Sequence, residues 1–364
     1  MDTWVLVILF PLVTSLLVTL FILPKIIDFS EQGRLFAKPG DRTSHEGDIP
    51  IFGGVGIFIG ILVSLLLWIG ILWEETMIDY VEDSRTIFSI LISLTIVFFT
   101  GFIDDLLSLS PVKKLFAQIL SILSIIFLGD LLIDNMQGVF GVDEIPKWVG
   151  ILFTIFVVVV VTNSYNLIDG IDGLAAGLGV ISSLIFGLLF YASNDLLYSI
   201  LSFCLSGSLI GFIKFNFHPA RIFMGDTGSL VVGLILSILS IRLVNQGVTI
   251  PFENVTYSMK GPFIAIVLLS IPLFDTFRVF FIRSLSGYNP LMPDRNHIHH
   301  ALLDLGLGHK LSSIILYVTN VIIIFISYYM IDIRSQSFSI FILAVVVLAS
   351  MSIPFILLRL RNKQ

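Results

Sequence analysis

The chain has 364 residues, of which 56% are hydrophobic and only 13% are charged, and its formal net charge is -6 at pH 7. Soluble globular domains carry about 25% charged residues, so this composition excludes a soluble domain and predicts a polytopic membrane protein. The single cysteine, Cys204, excludes an internal disulfide and a metal site built from cysteines.

Eleven apolar runs follow one another along the chain, each close to the length that crosses about 30 Å of hydrocarbon. They lie at 4–24, 51–73, 86–103, 115–129, 147–162, 174–192, 196–213, 228–244, 262–282, 312–331 and 338–358. The first run has no basic segment before it and no cleavage site after it, so we expect it to be retained as a span. The sequence therefore predicts an all-α fold of about eleven transmembrane helices, with residues 1–364 in a single domain.

Lysine and arginine are distributed unequally between alternate connections. Fourteen of the chain's 20 basic residues lie in one set of connections, at 25–50, 104–114, 163–173, 214–227, 283–311 and 359–364. The opposite set holds only three, at 74–85, 130–146, 193–195, 245–261 and 332–337. Because basic residues favour the cytoplasmic side, we expect the N-terminus outside and the C-terminus in the cytoplasm.

Four polar clusters fall on the predicted cytoplasmic connections or at the span ends beside them. They are Asp104-Asp105, Asn163–Asp172, Asn216–Asp226 and Arg295–His300. The sidedness was derived from lysine and arginine alone, so the position of these clusters is an independent observation. Together they predict one site on the cytoplasmic face.

The stretch Asn163–Gly173 places two Asn and two Asp between two apolar runs, with a glycine after each Asp. Asp-Gly pairs favour tight turns because glycine accepts a positive φ. A polar turn between two buried helices would explain the stretch. A set of oxygen ligands at the mouth of a membrane site would explain it as well.

Asp104 and Asp105 end the third apolar run, and Lys113 and Lys114 follow closely. Adjacent like charges at a membrane boundary are costly unless solvent or a cation compensates them. The pair is either a solvated helix end or a carboxylate pair that faces a divalent cation or a phosphoryl group, with the lysines neutralising phosphate oxygens. Asp226 is similarly either a helix N-cap or a ligand of Mg²⁺, which prefers one or two protein ligands plus substrate phosphates.

Three histidines lie in the longest cytoplasmic connection, within the stretch Asp294–His300. Histidines in a group can form a zinc site, but the adjacent His299 and His300 cannot easily share one tetrahedral ion with His297. Imidazoles that converge with the guanidinium of Arg295 on a pyrophosphate fit the stretch equally well.

In combination these motifs resemble the polyprenyl-phosphate N-acetylhexosamine-1-phosphate transferases, integral membrane enzymes that start glycan assembly on a lipid carrier. The matching motifs are Asp104-Asp105, Lys114-Leu-Phe-Ala-Gln118, Asn163-x-x-Asn166-x-x-Asp169-Gly-x-Asp172-Gly173, Phe223-Met-Gly-Asp226-Thr-Gly-Ser229 and Asp294-Arg295-x-His297-Ile-His299-His300. They span most of the chain in the family's order. The His-Ile-His-His form is similar to the branch that uses UDP-N-acetylglucosamine and undecaprenyl phosphate.

The resemblance implies a set of site residues by matching position. They are catalytic Asp104, Asp105 and Asp169; magnesium ligands Asn166 and Asp226; nucleotide contacts Asp172, Asn163 and Asn216; phosphate or sugar contacts Lys114, Arg295, His297, His299 and His300; and lipid-phosphate contacts Arg42 and His45. Within this set Asp104 would be the base that deprotonates the lipid phosphate, and Asp172 would face uracil.

The implied activity is transfer of N-acetylhexosamine-1-phosphate, most simply N-acetylglucosamine-1-phosphate, from a UDP-N-acetylhexosamine to undecaprenyl phosphate with release of UMP. The implied cofactor is Mg²⁺, for which Mn²⁺ could substitute. We expect the protein in the bacterial plasma membrane among membrane lipids, with no nucleic-acid partner, and a homodimer is compatible with the resemblance. Direct attack by the lipid phosphate is the expected mechanism, with an aspartate nucleophile as the alternative.

Other functions remain open at this point. The translocase that acts on UDP-MurNAc-pentapeptide is similar, but it has three consecutive histidines where this chain has His-Ile-His-His. A transporter could hold intramembrane acids, although transporter sites usually lie near the midplane within repeats. A zinc-dependent membrane hydrolase is a third possibility, which the histidine spacing disfavours.

Overall fold

The computed structural model describes residues 4–33, 36, 49–72, 82–252, 255–287, 296–330 and 336–361. Within these ranges the chain forms thirteen α-helices after a π-helical turn at Val5–Leu9. They are α1 Phe10–Gly33, α2 Gly53–Leu72, α3 Glu82–Leu107, α4 Pro111–Gly129, α5 Lys147–Ile168, α6 Leu174–Ala192, α7 Leu196–Asn216, α8 Gly225–Gln246, α9 Gly261–Leu268, α10 Ser270–Leu285, α11 Ile298–Asp304, α12 His309–Tyr328 and α13 Gln336–Arg361. The prediction of an all-α polytopic fold is confirmed.

The described residues contain ten helices long and apolar enough to cross a membrane, or eleven if the bent pair α9 and α10 forms one span. The run 262–282 is predicted as one span, and in the structure it is broken into two helices that meet at 79°. Pro272 has no N–H to offer the carbonyl of Leu268, and its ring crowds that carbonyl. The break therefore falls at Leu269, whose backbone leaves the helical conformation.

Two antiparallel hairpins occupy connections in which the sequence predicted no strands. One pairs β1 (Asn135–Val139) with β2 (Val142–Glu144), and the other pairs β3 (Val248–Phe252) with β4 (Val255–Met259). The first hairpin turns at Phe140 and Gly141, which both have positive φ, as a two-residue type I′ turn requires.

Helices α7 and α8 form the centre of the bundle, and both are largely buried along their length. The N-terminus of α8 is held against the start of α2. The amides of Gly53 and Gly54 donate hydrogen bonds to the carbonyls of Phe223 and Met224 at 3.0 and 2.9 Å. A Cβ on Gly54 would lie 2.1 Å from the amide nitrogen of Gly228. This close approach fixes the first turn of α8, which carries Asp226.

Candidate active site

Lys114 joins two acidic residues from different helices. Its Nζ lies 2.8 Å from Oδ2 of Asp104, at the end of α3, and 2.5 Å from Oδ2 of Asp226, in the first turn of α8. The other oxygen of Asp104 accepts a hydrogen bond from the amide of Leu109 at 2.6 Å, which ties it to the short connection before α4. One predicted catalytic residue, Asp104, and one predicted magnesium ligand, Asp226, thus meet at the ammonium group of the predicted phosphate contact Lys114.

Asn166 reaches the same cluster from the last turn of α5. Its Nδ2 donates hydrogen bonds of 2.9 Å to Oδ1 of Asp226 and to Oγ of Ser229. One turn earlier, Asn163 donates to Oε1 of Gln118 in α4 at 3.1 Å. The predicted connection 163–173 therefore begins as helix, and its i, i+3 spacing puts both Asn side chains on one face of α5.

Asp105 is directed away from Lys114 and caps α8. Its two oxygens accept hydrogen bonds from the amides of Asp226 and Thr227 at 2.8 and 3.0 Å, and from Oγ1 of Thr227 at 2.5 Å. The residue at the N-cap position of α8, Met224, makes no capping hydrogen bond with its side chain. Asp105 therefore supplies from α3 the carboxylate that the N-terminus of α8 needs.

Asp169 lies in the turn between α5 and α6, next to this cluster. Burial raises the pKa of its carboxyl to about 7, and repulsion adds to the effect from the carboxylates of Asp226, Asp105 and Asp172. A divalent cation would relieve this repulsion.

Asp172, in the same turn, is completely buried and contacts two histidines that the sequence interpretation did not select. One oxygen lies 2.8 Å from Nδ1 of His218 and 3.2 Å from the amide of Ala220, and the other lies 3.7 Å from Nδ1 of His309. Asn216 holds the turn from α7, since its Oδ1 accepts the amide hydrogen of Gly173 at 2.9 Å. The predicted contact of Asp172 with uracil stays a prediction.

The histidine motif packs onto this turn. A Cβ on Gly170 would lie 2.2 Å from Nε2 of His299, so the glycine is needed for the ring to approach. The rings of His297 and His299 are parallel, with centroids 5.8 Å apart, and those of His299 and His300 lie 4.2 Å apart. Burial lowers the pKa of His299 to about 3, and the nearby His300 adds to the effect. His299 is therefore neutral at physiological pH.

A second residue that the sequence interpretation missed is Asp275 in α10. Its Oδ2 lies 2.8 Å from Nδ1 of His297, and its Oδ1 accepts the amide hydrogen of Ile298 at 3.0 Å. The available signal was a carboxylate within the apolar run 262–282, because acids inside spans usually have a functional partner.

Comparisons with known proteins identify the family of the chain. Residues 87–244 match the family described as "Glycosyl transferase family 4". The chain is 34% identical over 311 residues, 85% of its length and 81% of the relative's, to the Bacillus subtilis protein named "Probable undecaprenyl-phosphate N-acetylglucosaminyl 1-phosphate transferase". The chain belongs to the polyprenyl-phosphate N-acetylglucosamine-1-phosphate transferase family.

Two further relatives of this transferase family are more distant. A decaprenyl-phosphate N-acetylglucosaminephosphotransferase of Mycolicibacterium smegmatis is 31% identical, with 79% of this chain and 73% of the relative covered. An undecaprenyl-phosphate alpha-N-acetylglucosaminyl 1-phosphate transferase of Escherichia coli is 28% identical, with 76% and 71% covered. With its candidate spans, the transferase is a multi-pass inner-membrane protein.

Among the residues that the structure describes, two groups could hold a metal ion. Asp226 and Asn166 offer carboxylate and amide oxygens beside Asp169, a donor set that suits Mg²⁺. The ligand atoms of Asp172, His218 and His309 lie within 4.8 Å of one another, and two imidazoles with one carboxylate would suit Zn²⁺. In the second group, the hydrogen bonds of Asp172 already explain why the three side chains lie close together without a metal ion. The oxygen ligands of Asp226 and Asn166 are therefore the better fit to Mg²⁺, the cofactor that the family resemblance implies.

Three of the predicted site residues lie outside the described residues. They are Arg42 and His45, predicted to contact lipid phosphate, and Arg295, predicted to contact the diphosphate or the sugar. Their roles stay predictions.

Proposed function

We propose that this transferase moves N-acetylglucosamine-1-phosphate from UDP-N-acetylglucosamine to undecaprenyl phosphate at the cytoplasmic membrane face. An oxygen of the lipid phosphate forms a bond to the β-phosphorus of the nucleotide sugar. The bond between that phosphorus and the bridging oxygen breaks, and UMP leaves with this oxygen. The product is a lipid-diphospho-sugar.

The observation that carries the proposal is the contact of Lys114 with both Asp104 and Asp226, with Asn166 beside them. Attack of a phosphate on a pyrophosphate brings anions together, so catalysis depends mainly on positioning and on neutralising charge. Lys114 provides a fixed positive charge for the phosphate oxygens. Asp104, a member of the same cluster, is proposed to accept a proton from the lipid phosphate.

Mg²⁺ would be held by Asp226 and Asn166, and Mn²⁺ could take its place. When bound, the ion supplies charge neutralisation for the diphosphate. Lys114 meanwhile keeps Asp104 and Asp226 at a fixed distance from each other, and Asp105 fixes the backbone that carries Asp226. Asp169 lies close enough to contribute a further oxygen.

The donor side of the site is proposed around the turn 169–173. Asp172 and Asn216 shape this turn, and Asn163 links α5, the helix before the turn, to α4. All three residues would therefore act on the nucleotide by fixing the position of the turn. His299 lies against Gly170 of the turn, and the rings of His297 and His300 lie beside that of His299. The three histidines are proposed to face the diphosphate or the sugar.

The test uses the purified protein in detergent with undecaprenyl phosphate, Mg²⁺ and separate radiolabelled donors: UDP-N-acetylglucosamine, UDP-N-acetylgalactosamine and UDP-MurNAc-pentapeptide. We expect UMP and a labelled lipid product in equal amounts with the first donor. Asp195→Asn is the matched control, because Asp195 pairs with Arg242 at the opposite membrane face; it should retain activity. Product formed only from UDP-MurNAc-pentapeptide, or none from any donor, would refute the proposal.

A further inference from the structure

Two side chains of α10 bind three consecutive residues at the start of the histidine motif, Asn296, His297 and Ile298. Asp275 contacts the ring of His297 at 2.8 Å and the amide of Ile298 at 3.0 Å. Arg278, one turn further along, donates a hydrogen bond to the carbonyl of Asn296. Asp275, Arg278 and His297 are each more than nine-tenths buried.

The distances show that Asp275 binds His297 more closely than it binds Arg278. Arg278 Nη2 lies 3.3 Å from Oδ1 of Asp275, a longer contact than that to His297. The guanidinium of Arg278 lies instead over the ring of Phe355 in α13, 3.9 Å from its centroid. A simple i, i+3 ion pair on one helix does not explain why the carboxylate points at the imidazole.

The hydrogen-bond donors around Asp275 also decide the state of the histidine. Oδ1 accepts from the amide of Ile298 and from Arg278, so the carboxylate acts as an acceptor. Nδ1 of His297 must therefore carry the hydrogen that it donates to Oδ2. Nε2 of His297 is the nitrogen left for another partner.

His297 is in turn connected to the turn that carries Asp169. Its ring lies parallel to that of His299, and Nε2 of His299 lies against Gly170. A change in the orientation of His297 would therefore shift the neighbouring ring of His299, and through it the turn at Gly170.

We propose that Asp275 is a positioning residue that holds His297 with Nδ1 protonated, so that Nε2 is presented to the diphosphate of the nucleotide sugar. The presentation of Nε2 to the diphosphate rests on the proposed function. Asp275 touches no substrate itself and acts through His297, and Arg278 fixes the backbone beside it.

A double-mutant cycle of Asp275→Asn and His297→Gln tests the proposal. An Asn side chain offers an amide hydrogen where the carboxylate accepted one, which favours the opposite tautomer of His297. We expect kcat/KM for UDP-N-acetylglucosamine to fall about tenfold to a hundredfold in each single variant. KM for undecaprenyl phosphate should not change, and the double variant should be no worse than the more affected single variant. Asp195→Asn again provides the matched control.

Nitrogen-15 NMR of histidine-labelled protein gives a readout that does not depend on turnover. The His297 signal, assigned by its loss in His297→Gln, should show a protonated Nδ1 in the wild type and a protonated Nε2 in Asp275→Asn. Multiplicative losses in the double variant, or an unchanged tautomer in Asp275→Asn, would overturn the proposal. If the wild type shows the expected tautomer but transfers no sugar phosphate, the proposed function fails while the positioning by Asp275 stands.

Discussion

Replacing Asp105 with Asn should damage stability far more than replacing its neighbour Asp104. Both residues were predicted to be catalytic, yet only Asp104 contacts Lys114. Asp105 gives both carboxylate oxygens to the first turn of α8, in three hydrogen bonds. Asn has a single acceptor oxygen, so its NH₂ group must face one of the buried backbone amides.

The size of the effect follows from these contacts. Leaving one buried donor without a partner costs about 1–3 kcal/mol, and losing the negative charge at the helix N-terminus costs about 0.3–1 kcal/mol. We therefore expect Asp105→Asn to lose about 1–4 kcal/mol of stability. Asp104→Asn should lose about 1 kcal/mol, because the remaining oxygen of Asn can still accept the amide hydrogen of Leu109 and Lys114 keeps Asp226 as a partner.

The single cysteine offers a direct assay of unfolding. Cys204 is completely buried, so a thiol-reactive dye becomes fluorescent only when the bundle opens. Asp105→Asn should melt several degrees below the wild type, yet keep measurable turnover at temperatures where it is folded. Asp104→Asn should melt near the wild type and lose activity by orders of magnitude. Thr227→Val, which removes only the hydroxyl donor to Asp105, should fall between Asp105→Asn and the wild type in melting temperature.

One result would refute this reasoning. If Asp105→Asn melts with the wild type and is as inactive as Asp104→Asn, the capping contacts are energetically minor. Asp105 would then act in the chemistry, as the sequence alone suggested.

Three further predictions test the metal, the histidine motif and the topology. Asp226→Asn should raise the Mg²⁺ concentration for half-maximal activity at least tenfold; normal activity at low Mg²⁺ would leave Asp226 with only a structural role. Since the pKa of His299 falls to about 3 on folding from about 6.5 in the unfolded chain, its contribution to stability is complete above pH 6.5 and should decline by about 3 kcal/mol by pH 4. The gap in melting temperature between the wild type and His299→Gln, followed by tryptophan fluorescence, should narrow over this range, and a constant gap would contradict it. In intact cells a membrane-impermeant thiol reagent should label Glu144→Cys and spare Ser286→Cys, without background from Cys204; the reverse pattern would invert the proposed topology.

The spans could be predicted from sequence because hydrocarbon length and apolar composition determine them almost alone. The run 174–192 coincides with α6, and most other runs lie within their helices, which extend by a few residues at the polar ends. The bend at Leu269 was missed because Pro272 lies within an otherwise continuous apolar run. The hairpins were missed because their strands have only three to five residues and lie in connections between spans. The strands β3 and β4 do alternate apolar and polar residues, and this alternation was the available signal.

The site was predictable as a set of residues but not as a set of contacts. Asn166, Asp226 and Lys114 were identified together because each motif is polar at the edge of an apolar run. The direction in which each side chain points depends on helix rotation and on distant backbone groups. Asp105 faces amides in α8, far along the chain, and no local pattern distinguishes it from Asp104. Asp275 lies in a span, where the sequence interpretation looked only for apolar residues.

The charges of the described site residues lead us to expect that activity requires a divalent cation. Asp105 is compensated by the N-terminus of α8, and Asp104 and Asp226 share the single ammonium group of Lys114. Among the described residues Asp169 has no cationic partner, and the repulsion it meets is reflected in its raised pKa. Both proposed substrates bring further negative charge into this excess of carboxylates. The single charge of Lys114 is shared between two aspartates and cannot by itself balance the phosphate oxygens that it faces. We therefore expect the nucleotide diphosphate to bind productively only together with a cation held by Asp226 and Asn166.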